Sequence, residues 1–179
     1  MAFNNDTIRV NLDNTRVIFN TNFSGDPARD TYGDDRRKCN LIIPSKEQAK
    51  DLTKKGFKVK ATKPRANDDP NTFEPEYYLM VQIKYRKRDR TPVKYPPNVF
   101  LVVGNNPPLA LTEETVGCLD HIRIKNVNAV LTSWTNDDGT LSAGVRTIYV
   151  EQDLDDDPYA ARYAQRTEAG MDDGEEIPF

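Results

Sequence analysis

At 179 residues the chain is long enough for one domain with a real core plus extensions, and its formal charge of −3 conceals a split. Glu151–Phe179 carries ten acidic and two basic residues, net −8, against net +5 for Met1–Val150, the asymmetry expected of a polyanion binder that carries its own competitor. No run approaches the roughly 18 apolar residues of a membrane span, the opening Met-Ala-Phe-Asn-Asn-Asp lacks a basic stretch followed by an apolar one, and Cys39 and Cys118 are too few and too distant for a zinc ribbon or a disulfide framework. A soluble, cytoplasmic protein with reduced, buried thiols, no metal and no membrane contact is the expectation.

In chain order, Ile8-Arg9-Val10-Asn11-Leu12 alternates apolar and polar, which predicts a strand with one wet face. Ser24–Arg36, rich in Asp and Gly, reads as a loop. Ser45-Lys46-Glu47-Gln48 has capping-box spacing, Ala49 and Leu52 form a narrow apolar stripe, and Gly56 stands where a glycine ends a helix. Phe57–Ala61 alternates again, followed by an Asp- and Pro-rich loop over Arg65–Pro75. Tyr77–Tyr85 and Val99–Val103 are richer in apolar and β-branched residues and are expected to be central strands. Asn105-Asn106-Pro107-Pro108 is a loop, and Ile122–Val127 leads into Ala129–Trp134. Asn136-Asp137-Asp138-Gly139 then marks a hairpin whose return strand is Leu141–Val150. Asp155-Asp156-Asp157-Pro158 opens a second, shorter helix through about Arg166. Six or more strands with little helix predict a mainly β fold, a barrel or sandwich; a helix against one end of a barrel favours an OB-fold-like arrangement over residues 1–150.

Two stretches concentrate cations. Lys84–Tyr95 holds six basic residues against one acidic, with Tyr85 and Tyr95 inside it. Binding a single strand of nucleic acid needs cations along the phosphates and flat side chains under the bases. Lys84, Arg86, Lys87, Arg88, Arg90 and Lys94 are candidates for the first task, Tyr85 and Tyr95 for the second. Lys54–Arg65 has six basic and no acidic residues, and alternation puts Lys58 and Lys60 on the face opposite Phe57, Val59 and Ala61. Each stretch taken alone is also what an ordinary charged hairpin would show.

Enzymatic motifs are absent: no Gly-rich phosphate loop, HExxH, CxxC or nucleophile elbow occurs. The single histidine, His121 beside Asp120, reads as structural, and Asp153–Asp157 lacks the glycine and terminal Glu of an EF-hand. Neither catalytic residues nor a cofactor are expected, although spacing alone does not reject a nuclease built from dispersed carboxylates.

The end of the chain is chemically explicit. Asp172, Asp173, Glu175 and Glu176 precede Ile177-Pro178-Phe179 and the terminal carboxylate. So acidic a segment, with two large apolar groups, cannot offset its ordering entropy and is expected to be disordered when free. Pro178 removes a donor and favours an extended peptide displayed to a pocket that takes the Phe ring.

This acidic run closed by Ile177-Pro178-Phe179 resembles the C-terminal tip of bacterial single-stranded-DNA-binding proteins. The resemblance implies a tip that recruits replication, recombination or repair proteins (a polymerase, helicase, primase or nuclease) and competes with DNA for the basic face. The body departs from the bacterial pattern, having one tryptophan, Trp134, and no long linker rich in Gly, Pro and Gln. It is more similar to the single-stranded-DNA-binding proteins of tailed phages, which place an acidic, Phe-ended tail on a larger OB-type domain. That likeness implies residues 1–150 as a domain coating single-stranded DNA with little sequence preference, residues 151–179 as linker and tip, and the host cytoplasm as its place. A duplex-binding or strand-annealing recombination protein could use the same stripes, and a structural or virion β-barrel could display the same tail. Edge strands could also pair two chains.

Overall fold

The computed structural model describes residues 7–154 and Tyr159. Its strands are β1 (Arg9–Thr15), β2 (Val17–Asn22), β3 (Lys38–Ile42), β4 (Lys60–Ala61), β5 (Tyr77–Gln82), β6 (Asn98–Val102), β7 (Leu109–Leu111), β8 (Ile124–Thr135) and β9 (Leu141–Gln152); helix α1 spans Lys46–Lys55. The class is mainly β, as the alternation predicts, and is compatible with an OB-like fold. All nine strands belong to one mixed sheet with the path β1-β8-β9-β5-β3-β2, β4 joining β5 and β6 with β7 joining β9; the path does not close into a barrel. The second helix expected from Asp155 and the tip Asp172–Phe179 lie outside the described residues.

β9 holds the sheet together. One edge pairs antiparallel with β8 along its whole length. The other edge pairs in parallel first with β5, at Ala143 and Gly144, and then with β6 from Thr147 to Glu151. The inward residues Ala143, Val145, Ile148 and Val150 meet Val127, Ala129 and Leu131 of β8, Val10 and Leu12 of β1, Val81 of β5 and Val99 of β6 in one core. α1 covers one side of it through Ala49 and Leu52, with Ser45 Oγ accepting from the Gln48 amide at 3.1 Å and Gly56 ending the helix at φ +107°. Both ends of this helix were written in the sequence. Strands β2, β3 and β7 were not, and β4 is two residues long where five alternated.

Asp120 fastens the far end of the fold. It sits in a 3-10 turn, Val116–His121, with its side chain fully buried. The carboxylate accepts the Thr21 hydroxyl at 2.7 Å, the Phe23 amide at 2.8 Å and the Ser24 amide at 2.9 Å, and Arg29 Nε lies 3.4 Å away. These bonds turn the chain after β2 so that Phe23, with no exposed surface, enters the core. Burial alone would push the Asp120 carboxyl up, but the donors outweigh it and hold it below its ordinary value near 3.8.

The cysteines differ from each other. Cys39 is buried in β3, and desolvation pushes its thiol up to about 12, so it stays protonated. Cys118, expected to be buried as well, is exposed because the 3-10 turn directs its neighbours Val116 and Leu119 inward instead. Among the described residues no three metal-ligating side chains cluster, and no helix is long and apolar enough to cross a membrane.

The Asp120 bonds generate a pH prediction. A carboxyl that titrates lower folded than unfolded contributes stability that is complete above about pH 4 and is lost as the pH falls through the folded value. Asp120→Asn should therefore lower stability at pH 7 by about 2–4 kcal/mol, since buried donors lose a charged acceptor, and should flatten the fall in stability as the pH drops below about 4. Urea unfolding of both proteins across this range measures it; parallel curves would contradict the assignment.

Candidate nucleic-acid interface

Because paired residues in a ladder share a face, the registers define the solvent side of the sheet. One line of partners crosses it: Lys38 of β3, Gln82 of β5, Gly144 of β9, Thr132 of β8 and Arg9 of β1. A second line places Asn40 beside Met80, and Ser142 beside Trp134. Lys60 of β4 joins this face through its pairing with Tyr78.

Aromatic rings and cations are interleaved along it. The Trp134 ring crosses Gly144, where any Cβ would lie 2.8 Å from Trp134 Cζ3, so the strand needs glycine at that point. Lys84 Nζ stands 5.0 Å from the indole centroid, within cation–π range. Next along β9, a bulge between its pairings to Val130 and Leu131 leaves Arg146 as the extra residue. Arg146 reaches the Tyr95 ring at 5.8 Å, with Lys94 Nζ at 5.4 Å from the same centroid. Tyr95 is 67% exposed. Further on, Tyr149 of β9 stacks on Phe100 of the neighbouring β6, with ring centroids 4.7 Å apart and 13° between planes.

The basic stretch after β5 forms a second, smaller hairpin. The Val93 amide donates to Tyr85, Arg86 pairs with Pro92, and the Lys87 amide donates to Thr91, so Arg88, Asp89 and Arg90 make the tip. Lys84, Arg86, Lys87, Arg88, Arg90 and Lys94 are all exposed. They are not equivalent: Arg86 Nε is bonded to Glu113 at 2.7 Å, a contact that also holds the Glu113 carboxyl low, whereas Lys87, Arg88 and Arg90 make no ion pair among the described residues. In the other stretch Lys58 lies 3.8 Å from Asp138 of the hairpin, and Lys60 is exposed.

Tyr85 is a correction. Expected to stack on bases, it is 8% exposed and belongs to the core. It follows Val81 and Ile83 in the same alternation, so its ring turns inward, where Arg37 lies 5.4 Å from the centroid. Desolvation, helped by Glu113 and Glu114 and opposed by Arg37, pushes its hydroxyl up to about 12. Conversely, Arg9, Phe100, Arg146 and Tyr149, which share this face, were not singled out from the sequence, and Trp134 entered only as a departure from the bacterial pattern. Alternation along β8 and β9 held the signal, since Leu131 faces in where Thr132 and Trp134 face out, and a glycine inside a strand marks close approach.

The sequence matches the family described as "Putative phage ssDNA-binding domain" over residues 4–176. A comparison with curated proteins finds no match. Among solved structures, the chain is similar to gp2.5, a single-stranded DNA binding protein encoded by bacteriophage T7, at 12% identity over 85% of this chain and 96% of that one. The TM-score is 0.39. The family match spans nearly the whole sequence: the chain belongs to this family of phage single-stranded-DNA-binding domains, which bind DNA and are not enzymes.

Proposed function

We propose that the solvent face of the sheet is the DNA-binding surface, and that the protein coats single-stranded DNA with little sequence preference during replication, recombination and repair in the host cytoplasm. The observation that carries this reading is Trp134 packed against Gly144 with Lys84 over its ring, continuous with Arg146, Tyr95 and Lys94. A half-buried ring beside a cation suits a base and its phosphate, and such stacking tolerates any base. Lys60, Lys84, Lys94 and Arg146 would track phosphates across the face. Lys87, Arg88 and Arg90 extend the track along the smaller hairpin, while Arg86 is held by Glu113 and orders that hairpin. Lys58 is the weaker candidate of its stretch, being shared with Asp138.

Residues 1–150 form the binding domain in this reading, and residues 151–179 the acidic linker and tip. The +5/−8 division supports two roles for the tip: to occupy the basic face in free protein, and to capture a polymerase, helicase, primase or nuclease once DNA displaces it. Asp172, Asp173, Glu175 and Glu176 would serve the first role, and Ile177, Pro178 and Phe179 the second.

Trp134 is the chain's one tryptophan, so its fluorescence reports on the site directly. Oligo-dT should quench it and bind with a log K against log salt slope of about −5, for seven cations each neutralising a phosphate of a single strand. Duplex of equal length should compete poorly; equal competition would favour a duplex-binding or annealing protein. Gly144→Ala, which displaces the indole, should weaken binding about tenfold, in line with the loss of one stacked base. Unchanged affinity and quenching would remove Trp134 from the interface.

Truncation before Asp172 should tighten oligo-dT binding at low salt and leave it unchanged at high salt, where screening already weakens the tip. Deleting Phe179 alone should abolish capture of a replication or recombination protein while leaving DNA affinity within twofold. Titrations and pull-downs with the three proteins check both roles separately.

A further inference from the structure

We infer that a recess between β2, β4, β5 and the 65–75 loop receives one unstacked nucleobase of the bound strand, at the end of the track opposite Tyr149. The inference rests on the proposed DNA-binding face and extends it. Phe19 is the starting point: its φ is +64°, a left-handed conformation that bulky residues rarely adopt, and its ring is nevertheless 58% exposed. Strain at an exposed aromatic does nothing for the core and is characteristic of a ligand clamp. The irregularity in pairing between Ile18 and Asn22 holds the ring there.

Tyr78 meets Phe19 edge-on, with ring centroids 5.2 Å apart and 78° between planes, and Phe73 of the 65–75 loop supplies a further wall. Together with Lys63 and Arg65 they line a cavity of about 480 Å³, within the usual range for small-ligand pockets. The carboxylates at its rim are already engaged. Glu76 accepts two hydrogen bonds from Arg16, at 2.6 and 2.7 Å, and Asp68 accepts the Arg65 amide at 2.6 Å. Lys63 and Arg65 make no ion pair among the described residues, which leaves a cationic rim around aromatic walls. Continuity decides the occupant: Tyr78 lies on the same face as Met80, Gln82 and Lys84, so a strand running along β5 from Trp134 arrives at the recess.

The test is a length series of oligo-dT from about 4 to 16 nucleotides, titrated against the full chain and against Phe19→Gly and Phe73→Ala. Wild-type affinity should step up at the length that reaches the recess. Both variants should lose that step, about tenfold, while binding the shortest oligonucleotides as wild type does. Glycine adopts φ +64° freely, so Phe19→Gly should melt no lower than wild type, and Phe73→Ala, on a surface loop, covers the case in which it does not. A 5-iodouracil at the strand end should photocrosslink to Phe19, Phe73 or Tyr78. Unchanged length dependence in both variants would overturn the recess alone. Tighter binding in both would mark the acidic tip as its occupant and overturn the inference too. Failure of the wild type to bind at any length, or normal binding by Gly144→Ala, would strike the proposed face itself.

Discussion

A strand inside a sheet must have its backbone donors and acceptors met from two directions, and β9 has three partners: β8 along one edge, and on the other β5 at Ala143 and Gly144 and β6 from Thr147 to Glu151. β5 and β6 share its second edge, each in parallel, so the two halves of the sheet are joined through one strand. That arrangement fixes which residues can be exposed together. Gly144 belongs to the half beside β5, Tyr149 to the half beside β6, and Arg146 to the bulge between them, so rings and cations from distant parts of the sequence form one surface.

The surface is shaped as much by what has been neutralised as by what is presented. Glu113 is held by Arg86 and approached by Arg37, Asp30 by Lys38, and Glu76 by Arg16. The Lys38 bond, followed by backbone amides of the 30–34 turn, lowers the Asp30 carboxyl to about 2. The Arg16–Glu76 pair, half-exposed on both sides, contributes little to stability. The value of these pairs lies in placement: with the acids occupied, Lys87, Arg88, Arg90, Lys63 and Arg65 are left to act on a polyanion.

Alternation announced Ile8–Leu12, apolar and β-branched content announced Tyr77–Tyr85, the Asn136–Gly139 turn announced its return strand Leu141–Val150, and Ser45 with Gly56 announced both ends of α1. β2 was not legible because Phe19 breaks its alternation by taking a left-handed conformation, and β3 because Cys39-Asn40-Leu41-Ile42-Ile43 runs into Pro44 with little polar contrast. The basic stretches were found by composition, which counts charges but ignores parity. Parity would have turned Tyr85 inward with Ile83, and Trp134 outward with Thr132. Pairing of β9 with both β5 and β6 joins residues far apart in the sequence, and no local pattern encodes it.

The same pairings impose an order on folding. Arg9 finds its strand partner in Thr132, and β5 and β6 wait for β9, so no half of the sheet is complete until nearly the whole domain has been made. Non-local, partly parallel topologies of this kind fold slowly and expose unpaired edges meanwhile. A chain interrupted before β9 would lack Gly144, Arg146 and Tyr149 as well as the strand that unites the sheet. Assembly of the fold and assembly of the proposed DNA-binding face are therefore a single event.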